Sequence, residues 1–262
     1  MVGSAMDMVQ EVNPGQSENE VNCLRDVELY NGDCLQLMSS INDGSVDMIL
    51  CDLPYGTTQN KWDSVIPFEP LWSQYRRLIK DNGAIVLFGA EPFSSALRMS
   101  NIKAYKYDWI WDKRQVTGFL NAKKQPLRQH ETISVFYKKQ CVYNPQMFKG
   151  KPQLKNTGGQ SSNYGKCTYM PHVSDIYYPK SILTFPQQRI KGGHPTQKPV
   201  PLLEYLIKTY TNEGDIVLDN CMGSGSTGVA AVNTGRKFIG IELDENYFKV
   251  AKERINGEVA LG

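Results

Sequence analysis

Long apolar runs are missing from this chain of 262 residues. No run approaches the roughly 18 apolar residues that a membrane-spanning helix needs. The first 20 residues are polar and lack the apolar core of a secretory signal. We therefore predict a disordered tail over residues 1–22 and a cytoplasmic location.

Cysteine and histidine are too scattered to indicate a metal centre. The six cysteines form no CxxC pair, and the three histidines do not cluster near them. This spacing argues against the common zinc motifs and against a disulfide framework. The sequence therefore predicts free thiols and no metal.

Acidic residues are nearly absent from one long segment. Residues 113–191 carry 14 lysines and arginines but only two acids, Glu131 and Asp175, although the whole chain has a net charge of +2. Generic protein surfaces mix both signs of charge, so lysines added for solubility explain this segment poorly. A basic segment within an otherwise acidic chain indicates a polyanionic partner.

The order of the apolar patterns predicts an α/β domain. Apolar, β-prone runs such as 46–51, 84–88 and 216–218 alternate with helical patterns such as 201–210. Alternation of this kind is typical of a parallel or mostly parallel sheet. The pattern fades between about 141 and 191, so we interpret those residues as an insertion into one domain.

The segment Asp52-Leu53-Pro54-Tyr55 stands directly after a predicted buried strand, residues 46–51. Ligands of open α/β sheets bind just outside the carboxyl ends of strands. A carboxylate, backbone carbonyls and an aromatic ring at that place suit a planar group that carries an amine. Taken alone, these four residues are better explained as an ordinary turn with a solvated aspartate and a packing tyrosine.

A glycine-rich loop forms the second half of the predicted site. It runs from Asp219 to Gly228 between a strand and a helix, where backbone N–H groups can bind an anion. Glu242 ends the next predicted strand, where an acid can accept hydrogen bonds from ribose hydroxyls or simply be solvated. Gly223, Gly225 and Gly228 also satisfy G-x-G-x-x-G, which marks dinucleotide-binding folds as well.

The element His194-Pro195-Thr196-Gln197-Lys198-Pro199 precedes the helix that leads into this loop. Its two prolines favour an extended backbone, and Lys198 can reach a carboxylate. We interpret His194 as a capping or loop residue, because no nearby side chain supplies a nucleophile.

Together these segments resemble the motifs of amino-group DNA methyltransferases. Asp52-Leu53-Pro54-Tyr55 is similar to their D-P-P-Y motif, the loop from Asp219 to their D-P-F-x-G-S-G-T motif, and residues 194–199 to H-P-T-x-K-P. The order, with the catalytic motif first and the cofactor motif last, resembles the circularly permuted β subgroup. The resemblance covers roughly residues 27 to 256.

The resemblance implies a fold and a set of roles. It implies a Rossmann-like α/β sheet of seven mostly parallel strands with one antiparallel strand, and S-adenosylmethionine as the cofactor. Residues 23–140 would form the catalytic half, 141–191 the target-recognition insertion and 192–262 the cofactor-binding half. The cofactor contacts implied are Asp33 on adenine, Lys198 on the methionine carboxylate, Glu242 on ribose, and Asp219, Gly223, Gly225 and Ser226 in the loop.

The sequence departs from the family pattern in two motifs. Leu53 stands where the family usually has proline, which keeps the backbone carbonyl but gives up the fixed φ of the ring. Asn220-Cys221-Met222 replaces the usual Pro-Phe and its neighbour, and we interpret Met222 as a source of apolar packing against the cofactor.

The resemblance implies methylation of adenine N6 in double-stranded DNA, with a homodimer as a further expectation. Other activities stay open at this point. Cytosine N4 is the nearest alternative, and RNA as substrate is compatible with the same basic segment. A nicotinamide-dependent dehydrogenase would fit the glycine pattern, but would leave the basic segment unexplained. A non-catalytic DNA-binding module would not explain why Asp52 and Tyr55 of the catalytic motif are both present.

Overall fold

The computed structural model describes residues 26–56, 64–155, 159–161, 165–167, 172–187 and 197–257. The predicted tail over residues 1–22 and residues His194 to Thr196 lie outside this part of the chain. The first half contains β1 (Val27–Asn31), α1 (Cys34–Leu37), β2 (Val46–Cys51), α2 (Phe68–Leu78), β3 (Ile79–Gly89), α3 (Phe93–Ser100), β4 (Tyr105–Thr117) and β5 (Arg128–Phe136).

The rest of the described chain begins with five short strands and ends with a return to α/β alternation. The short strands are β6 (Phe148–Lys155), β7 (Gly159–Ser161), β8 (Gly165–Cys167), β9 (His172–Tyr177) and β10 (Ile182–Thr184). They are followed by α4 (Val200–Tyr210), β11 (Ile216–Asp219), α5 (Ser226–Asn233), β12 (Lys237–Glu242) and α6 (Glu245–Ile255).

In the described part of the chain, the main sheet has eight strands in the order β1-β12-β11-β2-β3-β5-β4-β10. Only β5 runs antiparallel to its neighbours, β3 and β4. The predicted α/β class and the antiparallel strand are confirmed, whereas the number of strands is eight and not seven. The additional strand is β10, which pairs in parallel with β4 through only three residues, too short a run to show a sequence pattern.

Period-two alternation along the strands divides the core into two layers. Met48, Leu50, Val86 and Phe88 pack on one face of the sheet, against a layer that includes α4, α5 and α6. Their neighbours in sequence, such as Ile49, pack on the other face against α2 and α3. Burial on both faces explains why the central strands read as continuous apolar runs.

The described residues between 141 and 187 are less irregular than the composition of this segment suggests. They form two small antiparallel sheets, β6 with β9 and β7 with β8, and β10 joins the main sheet. The described part of this segment therefore has strands of its own, and it supplies the edge strand β10, which pairs with β4 through three residues. None of the helices in the described residues is long and apolar enough to cross a membrane.

Candidate active site

The sheet brings the two predicted half-sites to the same edge. Strands β1, β12, β11 and β2 are parallel neighbours, so their carboxyl ends lie side by side. Asn31 at the end of β1 is paired with Glu242 at the end of β12. Asp52 follows β2, and Asp219 ends the neighbouring β11. Residues separated by most of the chain therefore lie at the same edge of the sheet.

Packing holds the turn after β2 in place. Leu53 is buried in the core layer that faces α2 and α3, so its side chain anchors the turn that a proline would otherwise stiffen. The Tyr55 hydroxyl donates a hydrogen bond of 2.6 Å to Asp52 Oδ1. The Tyr55 ring stacks on Phe93, with 5.0 Å between ring centroids and 28° between planes. Burial and then the negative charge of Asp52 raise the pKa of Tyr55 well above its ordinary value, so the hydroxyl keeps its proton.

Lys198 joins the two halves of the chain at this point. Its ammonium group forms an ion pair with Asp52 Oδ2 and a second one, 3.3 Å long, with Glu131 Oε2. The side chain is only 7% exposed, and Nζ lies 5.1 Å from the centre of the Phe88 ring. Burial alone would lower the pKa of Lys198, but Asp52 and Glu131 outweigh that effect and raise it. Lys198 therefore stays charged in an apolar surrounding.

Glu131 and Lys113 complete this buried network, and no motif pointed to either. Glu131 lies on β5, and Lys113 on the neighbouring β4 donates a hydrogen bond of 3.1 Å to Glu131 Oε1. Glu131 Oε2 has its ion pair with Lys198 but no aligned hydrogen bond from any described residue. Burial alone would raise the pKa of Glu131, and the two lysines more than reverse this and lower it. The signal that the sequence offered was the isolation of Glu131 in a basic segment.

The glycine loop is shaped by its own close contacts. Gly225 has a φ of +80°, and a Cβ there would lie 2.9 Å from Ala251 Cβ, so α6 approaches too closely for a side chain. Gly223 has a φ of +52°, and a Cβ there would meet nothing within 4 Å. The loop is thus tightly packed at one glycine and open at the other. The open side, next to the first residues of α5, is a cradle in which a ligand can approach the backbone.

Acidic side chains support the loop. Asp219 Oδ1 accepts a hydrogen bond of 3.1 Å from the Cys221 N–H, and burial raises the pKa of Asp219 to about 6. Glu242 Oε2 accepts a hydrogen bond of 2.8 Å from the Gly223 N–H, and Oε1 accepts one of 2.9 Å from the Asp244 N–H. Each carboxylate oxygen has two lone pairs, so Glu242 can still accept hydrogen bonds from hydroxyl groups.

Asp33 and two of the unusual loop residues, Asn220 and Met222, have structural roles of their own. Asp33 caps α1, because Oδ1 accepts hydrogen bonds of 2.9 and 3.1 Å from the Leu35 and Gln36 N–H groups. Asn220 accepts a hydrogen bond of 2.6 Å from the Tyr75 hydroxyl. Met222 is buried in the core, where a Cβ on Gly240 would lie 2.4 Å from its sulfur. The methionine therefore packs beneath the loop.

Arg254 ties the glycine loop to the element that carries Lys198. Its Nη1 donates hydrogen bonds to the Ser224 carbonyl at 2.5 Å and to the Ser224 hydroxyl at 2.7 Å. The Ser224 hydroxyl lies 3.3 Å from Gln197 Oε1, directly before Lys198, and Ser226 Oγ lies 3.5 Å from Arg254 Nη2. Ser226 begins α5 and is buried. The sequence patterns did not identify Arg254.

This fold and site define an α/β enzyme with a nucleotide-type cofactor. The groups present fit S-adenosylmethionine: the open cradle at Gly223 suits a close backbone contact, and the Glu242 carboxylate can accept hydrogen bonds from ribose hydroxyls. An acid-bearing turn follows the neighbouring strand. That combination is the one expected of a methyltransferase.

Comparisons with known proteins identify the family. Residues 46–253 match the DNA methylase family model for N6 and N4 methyltransferases, and the chain belongs to this family. It is 32% identical to the DNA adenine methyltransferase YhdJ of Escherichia coli (strain K12), over 87% of this chain and 82% of the relative. It is 29% identical to the Type II methyltransferase M2.LlaDCHI of Lactococcus lactis subsp. cremoris, over 89% of this chain and 91% of the relative.

Solved structures agree with this assignment. The crystal structure of an M1.HpyAVI–SAM complex has a TM-score of 0.60 and 27% identity, and the match covers 88% of this chain and 99% of that one. The cytosine-N4-specific PvuII DNA methyltransferase has a TM-score of 0.63 over 88% of this chain and 90% of its own, but its 16% identity shows the fold alone. The predicted family, fold class and S-adenosylmethionine cofactor are confirmed: the protein is an S-adenosylmethionine-dependent DNA methyltransferase.

Proposed function

We propose that this protein transfers a methyl group from S-adenosylmethionine to the N6 amine of an adenine in DNA. The observation that carries the proposal is the place of Asp52, at the end of β2 and next to the glycine loop that follows β11. The similarity to a DNA adenine methyltransferase at 32% identity supports adenine as the target.

Asp52 and Leu53 would prepare the amine for attack. The adenine amine is a poor nucleophile, because its lone pair is delocalised into the ring. Hydrogen bonds from its two N–H groups to the Asp52 carboxylate and the Leu53 carbonyl would localise the lone pair on nitrogen. When bound, S-adenosylmethionine supplies an electrophilic sulfonium methyl group. Positioning and preorganised acceptors then account for much of the rate.

The contacts of Asp52 leave room for this role. Tyr55 donates to Oδ1 and Lys198 pairs with Oδ2, but a carboxylate has about four lone-pair positions, so further donors can bind. Asp52 is also a base within reach for the proton that the methylated amine must lose. Tyr55, fixed by Phe93, would stack on the target base, which contributes about 1–3 kcal/mol.

The cofactor contacts remain proposals for this chain. We place the methionine end of the cofactor near the backbone of Gly223 and Gly225 and the first residue of α5, Ser226. Asp219 would shape the loop from below, and Glu242 would accept hydrogen bonds from the ribose hydroxyls. Asp33, beside Glu242 at the sheet edge, would contact the adenine ring of the cofactor.

The contact of Lys198 with the methionine carboxylate stays a prediction, and the structure suggests a second possible role for this residue. The ion pairs with Asp52 and Glu131 support a different role, in which Lys198 orients the catalytic carboxylate. The two roles differ in what a Lys198 variant loses, which is either affinity for the cofactor or the rate of transfer.

Several broader expectations also remain proposals. We propose that residues 141–191 recognise the target sequence and that residues 23–140 and 192–262 supply the catalytic and cofactor halves. The strand order, with the cofactor strand β11 late in the chain but central in the sheet, supports a circular permutation. A double-stranded substrate, a homodimer and a cytoplasmic location rest on resemblance and composition, and stay predictions.

Cytosine N4 is the alternative that the family model itself keeps open, since it covers N6 and N4 enzymes. The test is to incubate the protein with labelled S-adenosylmethionine and duplex DNA, digest the DNA and identify the methylated nucleoside. N6-methyladenine that disappears in Asp52→Ala supports the proposal, and N4-methylcytosine contradicts it. Asp81→Ala is the matched control, because Asp81 is an exposed carboxylate paired only with surface lysines Lys138 and Lys139 among the described residues.

A further inference from the structure

The hairpin that joins β4 to β5 extends beyond the sheet at the active-site edge. The end of β3, Gly89, is paired with Thr132 of β5. Residues 128–131 of β5 and residues 111–117 of β4 therefore project past the end of β3 and are called here the arm. Glu131, the next residue along this arm, pairs with Lys198, which in turn pairs with Asp52. Residues 118–127, called here the hairpin tip, connect Thr117 to Arg128, which form the last paired residues of the two strands.

Strand geometry places the hairpin tip close to the site. Arg128 is three residues from Glu131, so at about 3.3 Å per residue the base of the tip lies roughly 10 Å from the buried network. The arm therefore starts at Glu131, which Lys198 links to Asp52, and leads away from the sheet. A molecule that presents a base to Asp52 would extend past this arm.

Two large apolar side chains stand at the hairpin tip without cover. Phe119 is 67% exposed and Leu120 is fully exposed. Local hydrogen bonds order the turn around them: the Asn121 N–H donates to the Gly118 carbonyl at 2.9 Å, and the Lys124 N–H to the Asn121 carbonyl at 2.8 Å. The two side chains are thus presented to solvent by a structured turn, which has a cost unless a partner covers them.

The charge of the arm identifies the class of partner. Residues 113–130 contain five lysines and arginines and no acid. Lys113 is buried against Glu131, whereas Arg114, Lys123, Lys124 and Arg128 are exposed. Exposed cations beside an apolar tip fit a polyanion with an apolar interior, which describes a stacked DNA duplex.

We propose that Phe119 and Leu120 insert into the DNA base stack and occupy the space that the target adenine leaves. Arg114, Lys123, Lys124 and Arg128 hold the flanking phosphates. Apolar side chains of this type act as wedges between base steps in other DNA-binding proteins. This inference rests on the proposed function, because it requires a base that leaves the duplex to reach Asp52.

The test compares two short duplexes that contain the adenine found to be methylated. In one duplex the target adenine is fully paired, and in the other it faces an abasic site, where extrusion costs less. With Phe119→Ser combined with Leu120→Ser, we expect the single-turnover rate on the paired duplex to fall at least about tenfold. On the abasic duplex the same variant should stay within about threefold of the unaltered protein, because extrusion of an unpaired adenine costs less free energy and depends less on the two apolar side chains.

Met99→Ser combined with Ile102→Ser is the matched control, since both residues are exposed (69% and 53%) near the start of β4 at the other end of the strand. An unchanged rate of the tip variant on the paired duplex, or an equal loss on both duplexes, overturns the wedge. So does a change from dimer to monomer by size-exclusion chromatography, which would make the tip a contact between copies. Absence of methyl transfer by the unaltered protein overturns the proposed function, and the wedge with it.

Discussion

The ammonium group of Lys198 pairs with the carboxylate of Asp52, although 146 residues separate them in the chain. Asp52 belongs to the turn after β2, and Lys198 leads into α4 from the other half of the protein. The pair therefore couples the proposed amine-binding turn to the segment that reaches the glycine loop through Gln197 and Ser224. We therefore expect changes at this ion pair to alter the rate of methyl transfer, the affinity for the cofactor or the stability of the fold.

Replacing Lys198 by methionine should separate its two candidate roles. If Lys198 orients Asp52, the single-turnover rate should fall about 10- to 100-fold, because a positioned catalytic group loses its support. The dissociation constant for S-adenosylmethionine, measured by calorimetry, should then change by less than about threefold. A large loss of cofactor affinity with an unchanged rate of transfer would instead support a contact between Lys198 and the methionine carboxylate.

Replacing Glu131 by glutamine should destabilise the fold. Lys113 and Lys198 would keep their charges in a buried place with one counter-charge fewer, and breaking a buried ion pair typically costs about 3–5 kcal/mol. Urea unfolding at neutral pH measures this loss. The matched control is Asp175→Asn, whose partner Lys149 is 82% exposed, so that change should cost less than about 1 kcal/mol.

The Glu131 effect should also depend on pH. The two lysines lower the pKa of Glu131 below its ordinary value of 4.5, so its carboxylate stabilises the fold above that value. The difference in unfolding free energy between the unaltered protein and Glu131→Gln should therefore shrink as the pH falls through the folded pKa. A difference that stays constant down to acid pH would show that charge is not its cause.

Asp219→Asn should show the opposite pH dependence. Burial raises the pKa of Asp219 to about 6, so the folded protein holds this proton more tightly than the unfolded chain does. Between about pH 4 and pH 6 only the folded state binds the proton, and stability falls as pH rises. The asparagine variant lacks this titration and should gain up to about 3 kcal/mol relative to the unaltered protein between pH 4 and pH 7. A pH-independent difference in unfolding free energy contradicts the shift.

Gly225→Ala should damage the loop more than an equivalent change elsewhere. Gly225 has a φ of +80°, and an added Cβ would meet Ala251 at 2.9 Å, so both strain and overlap oppose alanine. Gly214 has a φ of +82° with nothing within 4 Å, so Gly214→Ala isolates the backbone strain, about 1–2 kcal/mol. We expect Gly225→Ala to lose about 1–3 kcal/mol more and to weaken cofactor binding. Equal losses in both variants would rule out the close contact with α6.

Some of this site was predictable because the topology of a parallel sheet is regular. Asp52, Asp219 and Glu242 each follow or end a recognisable apolar strand, and parallel strands bring such ends to one edge. The glycine loop was recognisable because its backbone requires Gly225. Leu53 departs from the motif, but its burial shows how packing can anchor the turn in place of a proline ring.

The rest depends on contacts that no local pattern encodes. Glu131 and Lys113 meet because β4 and β5 pair, and their link to Lys198 depends on where the segment before α4 lies in the fold. Strand β10 has three residues and is defined by its partner β4. Arg254 reaches Ser224 only through the packing of α6 beneath the loop. Tertiary structure alone brings these residues to the site.

The most direct test of the account is the single-turnover rate of methyl transfer by Asp52→Asn, with cofactor affinity measured on the same sample. The substitution keeps the size of the side chain but removes the negative charge that would localise the amine lone pair. We predict that the rate falls at least about 100-fold, as for the loss of a preorganised electrostatic contact, while the affinity for S-adenosylmethionine stays within about threefold. A rate close to that of the unaltered protein would contradict the proposed role of Asp52.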